Sequence, residues 1–395
     1  MNTTTKAHGL DGTLVEPDWP PLTIKEVRNL LRQFPRCGEA FDIVSTSPRP
    51  FSAASVVATH DGPKFVKRHH RGVRDIAALL EEHRFMAHLR VHGARVPQVF
   101  QSETGETAVQ LGEWTYEVHG IPQGIDLYEN AVSWTPFRSP AHAHSAGQSL
   151  ARLHRSASRY SAAARQTRPL VASFSIFAAK DPRVSIERYI AARPALAGDS
   201  TTYRCCAEAL QMLEPFHKEL LPHLPALKPQ WTHNDLHASN LFWSDATNDA
   251  HATAVIDFGL CDRTNAVHDL AHAIERNIVE WLKLDYGSGR EQDVLMHLDH
   301  LFALLDGYEE IRPLSQGEAA ALAPMTALCH AEFALTEADY FLGVLHSTEK
   351  ARVATNDYLV GHARWYHSED GRSLLEALRT WANRHQQPAH KAGRP

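Results

Sequence analysis

The stretch Trp231–Phe258 concentrates the residues of this chain that could do chemistry. It holds His233-x-Asp235, then Asn240 five residues after Asp235, then Asp257-Phe258-Gly259 seventeen residues after Asn240. A carboxylate beside an attacking hydroxyl can orient it and accept its proton, further oxygen donors can hold Mg²⁺ against phosphates, and a lysine can neutralise phosphate oxygens. Asp235 is thus expected as the base of a phosphoryl transfer from ATP, with Asn240 and Asp257 as Mg²⁺ ligands. His233, Asp235 and His237 also have metal-ligand spacing, so a metal-dependent hydrolase is a competing chemistry. That reading leaves Asn240, Asp-Phe-Gly and any upstream lysine unused.

These groups need elements to bring them together. The apolar runs Leu241–Trp243 and Thr253–Phe258 flank the polar Asp245–Asp249 and read as a hairpin, which returns Asp257 toward Asn240. Upstream, Phe41–Ser45, Ser55–Thr59, Lys64–His69, Val96–Phe100, Ala108–Leu111 and Trp114–Val118 read as strands. Val73–His92 reads as one helix with Gly93 at its C-cap. After the turn-rich Gly120–Gly124 the chain reads as mainly helical: Ser139–Ser156, Val184–Arg193, Thr201–Leu221, Ala266–Leu284, Glu291–Tyr308, Gln316–Leu345, Ala354–His367 and Ser373–Arg384. The expected class is α+β and bilobal. A loose segment 1–21 precedes a small antiparallel N-lobe with one helix (22–115). A hinge (116–128), a large helical C-lobe (129–385) and a loose tail (386–395) follow.

His-Asn-Asp-Leu-His-Ala-Ser-Asn (233–240) resembles the catalytic loop H-G-D-L-H-x-x-N of the aminoglycoside phosphotransferase and choline kinase-like family, which is also similar to homoserine-kinase-like members. Asn234 stands where glycine is usual, and asparagine tolerates the left-handed backbone better than most residues. Asp269-Leu-Ala resembles the D-L-A that opens the next helix, and Gly147–His154 resembles G-x-x-L-A-x-L-H. The resemblance covers roughly residues 40 to 345 and implies a protein-kinase-like fold using ATP and Mg²⁺. It implies that Lys67 contacts the phosphates, with Lys64 as competitor, and that Glu82 is its ion-pair partner, with Glu81 as runner-up. Ser52 and Ser55 lie where a turn covers the phosphates. Trp114–His119 resembles the inter-lobe hinge, with backbone near Glu117 and Val118 pairing with adenine. His233 and His237 are expected to brace the loop, with Asp269 in a supporting role.

No Ala-Pro-Glu follows Asp-Phe-Gly, and only a short run separates it from the next helix, so a small hydroxyl acceptor fits better than a protein. Glu332, Phe333, Thr336, Asp339 and Tyr340 share one helix face by 3–4 spacing and could receive an amine-bearing metabolite or antibiotic. Family resemblance alone does not choose among aminoglycoside, amino alcohol and homoserine-type acceptors. An inactive nucleotide-binding pseudokinase is a further reading, opposed by the complete set of phosphotransfer residues.

Composition sets the outer limits. The 395 residues carry a net charge of −6 with neutral histidine, which offers no global pull toward nucleic acid or an anionic membrane. No stretch approaches the length of a membrane span, no secretory leader pattern opens the chain, and the five cysteines make no CxxC pair, so a cytoplasmic protein is expected. Oligomeric state is not legible. The 26 histidines are an unusual surplus, of which only His233 and His237 fall in the chemical segment.

Overall fold

The computed structural model describes residues 7–8, 14–15, 17–283 and 296–384. Two two-residue strands, β1 (Ala7–His8) and β2 (Leu14–Val15), pair antiparallel. Helix α1 (Ile24–Leu31), absent from the sequence reading, starts on a capping box between Thr23 and Glu26. It packs on a five-stranded antiparallel sheet in the order β3-β4-β5-β7-β6. These strands are β3 (Ala40–Thr46), β4 (Ala53–Thr59), β5 (Lys64–His70), β6 (Val109–Leu111) and β7 (Trp114–Gly120).

Val96–Phe100 is not a ladder strand. Pro97 offers no N–H to a ladder, and the segment touches the sheet through a bridge from Val99 to His119 and bonds of Gln98 O and Phe100 N to β7. Helix α2 (Ile76–Val91) starts on an Asp75 cap. Two cores result. Val27, Phe34, Val57, Val66 and Val118 fill the first, between α1 and the sheet. Phe85, Met86 and Leu89 of α2 belong to the second, with the helical lobe, so α2 packs toward the C-lobe.

The C-lobe hangs on α3 (Pro140–Ala157), the short α4 (Pro182–Ala191) and α5 (Pro194–Ala197), then α6 (Ser200–Leu220), α7 (Ala266–Ile278), α8 (Leu298–Ile311), α9 (Gln316–Leu328) and α10 (His330–Gly343). A Cβ on Gly147 would lie 2.0 Å from Leu304 O, and one on Gly307 would lie 2.0 Å from His144 O. Only glycine lets α3 and α8 cross this closely. The single helix expected over Gln316–Leu345 is two helices broken at Cys329, and Val353–His362 is a π-helix. The expected hairpin forms from β9 (Leu241–Trp243) and β10 (Ala252–Val255). An unforeseen pair, β8 (Pro229–Thr232) with β11 (Asp262–Asn265), clamps residues 233–261 from both ends. Residues 291–295 of the expected Glu291–Tyr308 helix, and the tail from 385, lie outside the described residues.

The expected loose leader is anchored from residue 17 onward. The Asp18 carboxylate accepts from Tyr340 Oη (3.1 Å) and from Lys350 Nζ, and Trp19 stacks on His70. β7 runs on to Gly120, which places Glu117 and Val118 inside the sheet and the change of lobe after it. No helix among the described residues is long and apolar enough to cross a membrane, and all five cysteines are free and buried.

Candidate active site

Lys67 on β5 is the lysine that enters the cleft. Its Nζ donates to Asp257 Oδ1 (3.0 Å), whereas Lys64 Nζ turns back to the Asp61 and Gly62 carbonyls of the hairpin turn (2.6 and 2.9 Å). Three residues along a strand reverse the side chain, so one lysine can serve the cleft and not both. Burial pulls the Lys67 ammonium toward neutrality, but Asp257, with Glu117 and Glu82 behind it, more than reverses this and leaves its pKa raised. Desolvation works against the Asp257 carboxylate too, and the Lys67 charge and hydrogen bond hold it below the ordinary carboxylate range.

Lys67 and Glu82 do not form the expected ion pair. Glu82 faces Arg165 Nη2 (3.3 Å) and Arg74 Nε (3.6 Å), and Glu81 lies 3.5 Å from Arg165 Nε. Those two arginines also donate to the Gly259 carbonyl, so they tie α2 to the end of Asp-Phe-Gly.

The loop 233–240 is held by its backbone. His233 N and Asn234 N both donate to the Asp269 carboxylate at 2.8 Å. Asn234 has φ +62°, the conformation its replacement of glycine demands, and its side chain is used as well: Nδ2 donates to Ala172 O (3.0 Å) and Oδ1 accepts from Thr232 Oγ1 (2.8 Å). Asp257 also has positive φ, +57°. Asn240 Nδ2 donates to Asp235 O (2.9 Å) and Oδ2 (3.2 Å), which leaves its Oδ1 as an oxygen donor.

His233 and His237 do not converge on a metal with Asp235. His233 Nε2 donates to Ile256 O (2.9 Å), and His237 Nδ1 is engaged by Ser239 Oγ (2.8 Å). Burial lowers the pKa of both, His237 to about 3 with Arg49 adding to the effect. Both are neutral, hydrogen-bonded histidines.

Two cavities meet at this loop. One, of about 300 Å³, is lined by Val56, Phe65, Glu117, His119, Ile121 and Phe258. The other, of about 140 Å³, is lined by Ser52, Trp134, Asp235, Phe333, Glu337 and Tyr358. Arg49, Lys67, Asn240 and Asp257 line both, while Asp235 lines only the smaller.

Several expected positions are corrected by this arrangement. Ser55 is wholly buried against Thr46 Oγ1 (3.3 Å) and lines neither cavity. Val118 fills the sheet core and its carbonyl accepts from Phe100 N (2.8 Å), so its carbonyl is already used within the N-lobe. The Glu117 backbone pairs across the ladder with Lys67, while its side chain enters the cleft. Glu332 is consumed by Ser173, Ser175 and Ile176 through four hydrogen bonds of 2.6–2.9 Å. Asp339 faces Arg193 at 3.8 Å, and Tyr340 donates to Asp18. These three side chains are spent on partners elsewhere in the fold, while Phe333 from the same expected face lines the smaller cavity.

Two residues missed in the sequence reading stand there instead. Glu337 is buried at the smaller cavity with Oε2 lacking a hydrogen-bond partner, and burial pushes its carboxyl well above the ordinary range. The fully buried Arg276 contacts Asp235 Oδ1 and lies 4.4 Å over the Phe333 ring. Every residue of α7 is buried, including His268, Asp269, His272, Glu275 and Asn277 beside Arg276, so nothing in the sequence set this Arg apart from an ordinary helix charge.

A family model described as the phosphotransferase enzyme family matches residues 48–314. The chain belongs to the phosphotransferase enzyme family. It is therefore a phosphotransferase acting on hydroxyl groups. Its fold is that of solved phosphotransferases and kinases. A microcompartment-associated aminopropanol kinase aligns at 17% identity and TM-score 0.57, over 88% of this chain and 99% of that one. An aminoglycoside phosphotransferase from Alicyclobacillus acidocaldarius aligns at 14% identity and TM-score 0.51, over 93% and 98%. A spectinomycin phosphotransferase, solved with ADP and spectinomycin, aligns at 13% identity and TM-score 0.51, over 87% and 98%. No curated protein matches the sequence. Within the family's two-lobed frame, the lysine strand β5 and the Asp-Phe-Gly segment face each other across the cleft.

Proposed function

We propose that this phosphotransferase is an ATP-dependent kinase of a small, amine-bearing alcohol. The observation that carries the reading is the division of the cleft: Lys67, Asn240 and Asp257 stand where the two cavities meet, and Asp235 stands on the smaller side alone. The larger cavity suits the nucleotide and the smaller the acceptor. Asp235 accepts the acceptor's hydroxyl proton as its oxygen attacks the γ-phosphorus, and the bond from that phosphorus to the β–γ bridging oxygen breaks to release ADP. Lys67 steadies the phosphate oxygens. Asn240 Oδ1 and the Asp257 carboxylate are hard oxygen donors that fit Mg²⁺, which supplies neutralisation of phosphate charge when bound.

A cavity of about 140 Å³ lies below the range of about 300–1,000 Å³ usual for drug-sized ligands. An acceptor of amino-alcohol size fits it better than a multi-ring sugar. Trp134, Phe333 and Tyr358, with the buried Glu337 carboxyl that ionises once a cation docks beside it, are the chemistry that receives an ammonium group. An ADP-release screen over amino alcohols, hydroxy amino acids and aminoglycosides tests the reading. Asp235→Ala is expected to lower kcat by about 10²–10⁴-fold, and equal rates would remove Asp235 from the chemistry. Glu337→Gln is expected to raise the acceptor KM while leaving that for ATP unchanged. An unaltered acceptor KM excludes an ammonium contact there.

A further inference from the structure

The inner wall of the nucleotide cavity carries a second cluster that phosphotransfer does not use. Alternation along β7 puts Glu117 and His119 on one face, and α2 adds His83 from above. Glu117 Oε2 lies 2.7 Å from His83 Nε2 and 2.8 Å from His119 Nε2. Its Oε1 lies 2.9 Å from His69 Nε2 on β5. The ligand atoms of His83, Glu117 and His119 all lie within 4.8 Å of one another.

We propose that His83, His119 and Glu117 are the protein ligands of a Zn²⁺-class transition metal whose fourth position opens to the nucleotide cavity. Two imidazoles and a carboxylate are the three-ligand set of open zinc sites. This nitrogen-rich donor set favours zinc-like ions over Mg²⁺, which separates it from the oxygen pair Asn240 and Asp257. Metal–ligand bonds of about 2.0–2.2 Å place tetrahedral ligands about 3.3–3.6 Å apart. The two Glu117 contacts, at 2.7 and 2.8 Å, need to open by about 0.5–0.9 Å to reach that spacing, within reach of side-chain torsions.

The surroundings also fit. Binding through Nε2 puts the imidazole hydrogen on Nδ1, and His83 Nδ1 already has Thr107 Oγ1 at 2.8 Å as its partner. His69 orients the carboxylate through its other oxygen. Such outer partners are what fix ligand geometry in metal sites. Glu117 and His119 line the cavity, which gives the ion a route in. The Lys67 ammonium on the same sheet face is ion-paired with Asp257, which offsets its repulsion.

The test is a Co²⁺ titration of the full chain after chelator treatment, without nucleotide. One equivalent is expected to bind with tetrahedral ligand-field bands and to be displaced by Zn²⁺. His119→Ala and His83→Ala should abolish the bands, and His69→Ala should weaken binding by about 10- to 100-fold. Asp257→Asn should keep the bands, with binding weakened only by the uncovered Lys67 charge. X-ray absorption on the Zn²⁺-loaded wild type needs no variant and should show two imidazoles in the shell. An all-oxygen shell, no stoichiometric binding, unchanged binding in His119→Ala, or loss of the bands in Asp257→Asn would each overturn the site. Because the readout is metal binding, the result is independent of the acceptor and of the kinase reading.

Discussion

Asp269 on α7 holds the 233–240 loop from beneath, accepting the backbone N–H of Asn234 at 2.8 Å. The same carboxylate accepts from His233 N (2.8 Å) and His154 Nε2 (2.9 Å), and His154 Nδ1 in turn accepts from Tyr308 Oη (2.7 Å). α3, α7 and α8 are thereby joined to the loop. Removing Asp269 orphans two buried amides and an imidazole, at about 1–3 kcal/mol for each unsatisfied group. Asp269→Ala is expected to lose several kcal/mol in urea unfolding and most of its kcat. Asp269→Asn, which keeps an acceptor oxygen, should fall between. A fully stable Asp269→Ala protein would contradict this role.

Lys67 and Lys64 should separate cleanly in kinetics. Lys67→Ala removes the cleft cation that holds Asp257 and should cut kcat by about 10²–10³-fold, the scale of losing one preorganised donor. Lys64→Ala removes only contacts to turn carbonyls and should leave kcat within about threefold, a change worth less than 1 kcal/mol. Steady-state rates of both variants at saturating ATP decide the assignment.

Asn234 carries two roles, a left-handed backbone and five buried side-chain hydrogen bonds to Ala172, Leu260, Thr232, Thr264 and His268. Asn234→Gly keeps the first and loses the second, while Asn234→Ala loses both. The expected order of stability is wild type, then Gly, then Ala, with about 1–2 kcal/mol between the last two from the left-handed penalty. Denaturant midpoints measure it, and an Ala variant as stable as Gly would refute the backbone argument.

Glu275, buried in α7 with His362 Nδ1 at 3.1 Å, has its carboxyl pushed up to about 7 by burial. The folded state therefore keeps this proton longer than the unfolded chain, whose glutamate titrates near about 4.3. Its contribution to stability is intact below the unfolded value and declines as pH rises through 7. Glu275→Gln does not titrate. Its stability relative to wild type should improve by about 3 kcal/mol between pH 4 and pH 8. A pH-independent difference in urea unfolding would refute the raised carboxyl.

Much of the site was written in local sequence. His233, Asp235, Asn240 and Asp257 are set by a short loop and a hairpin whose strands pair as their apolar runs require, and strand period alone puts Lys67 and Lys64 on opposite faces. The side chains that answer them come from far away in the chain. Glu82 pairs with Arg74 and Arg165 because α2 packs toward the C-lobe, a choice its apolar stripe leaves open. Glu332 and Glu337 lie five residues apart on one helix, with nothing in their types to say which meets the cavity. The packing of α10 decided it, burying Glu332 among the amides and hydroxyls of 173–176 and leaving Glu337 at the smaller cavity. The histidine surplus resolves in the same way. Sequence shows imidazoles scattered over three elements, and only the register of β5 on β7, with α2 above it, brings His69, His83 and His119 to one carboxylate. Local periodicity determines which face a residue takes, while the partner on that face depends on how distant elements pack.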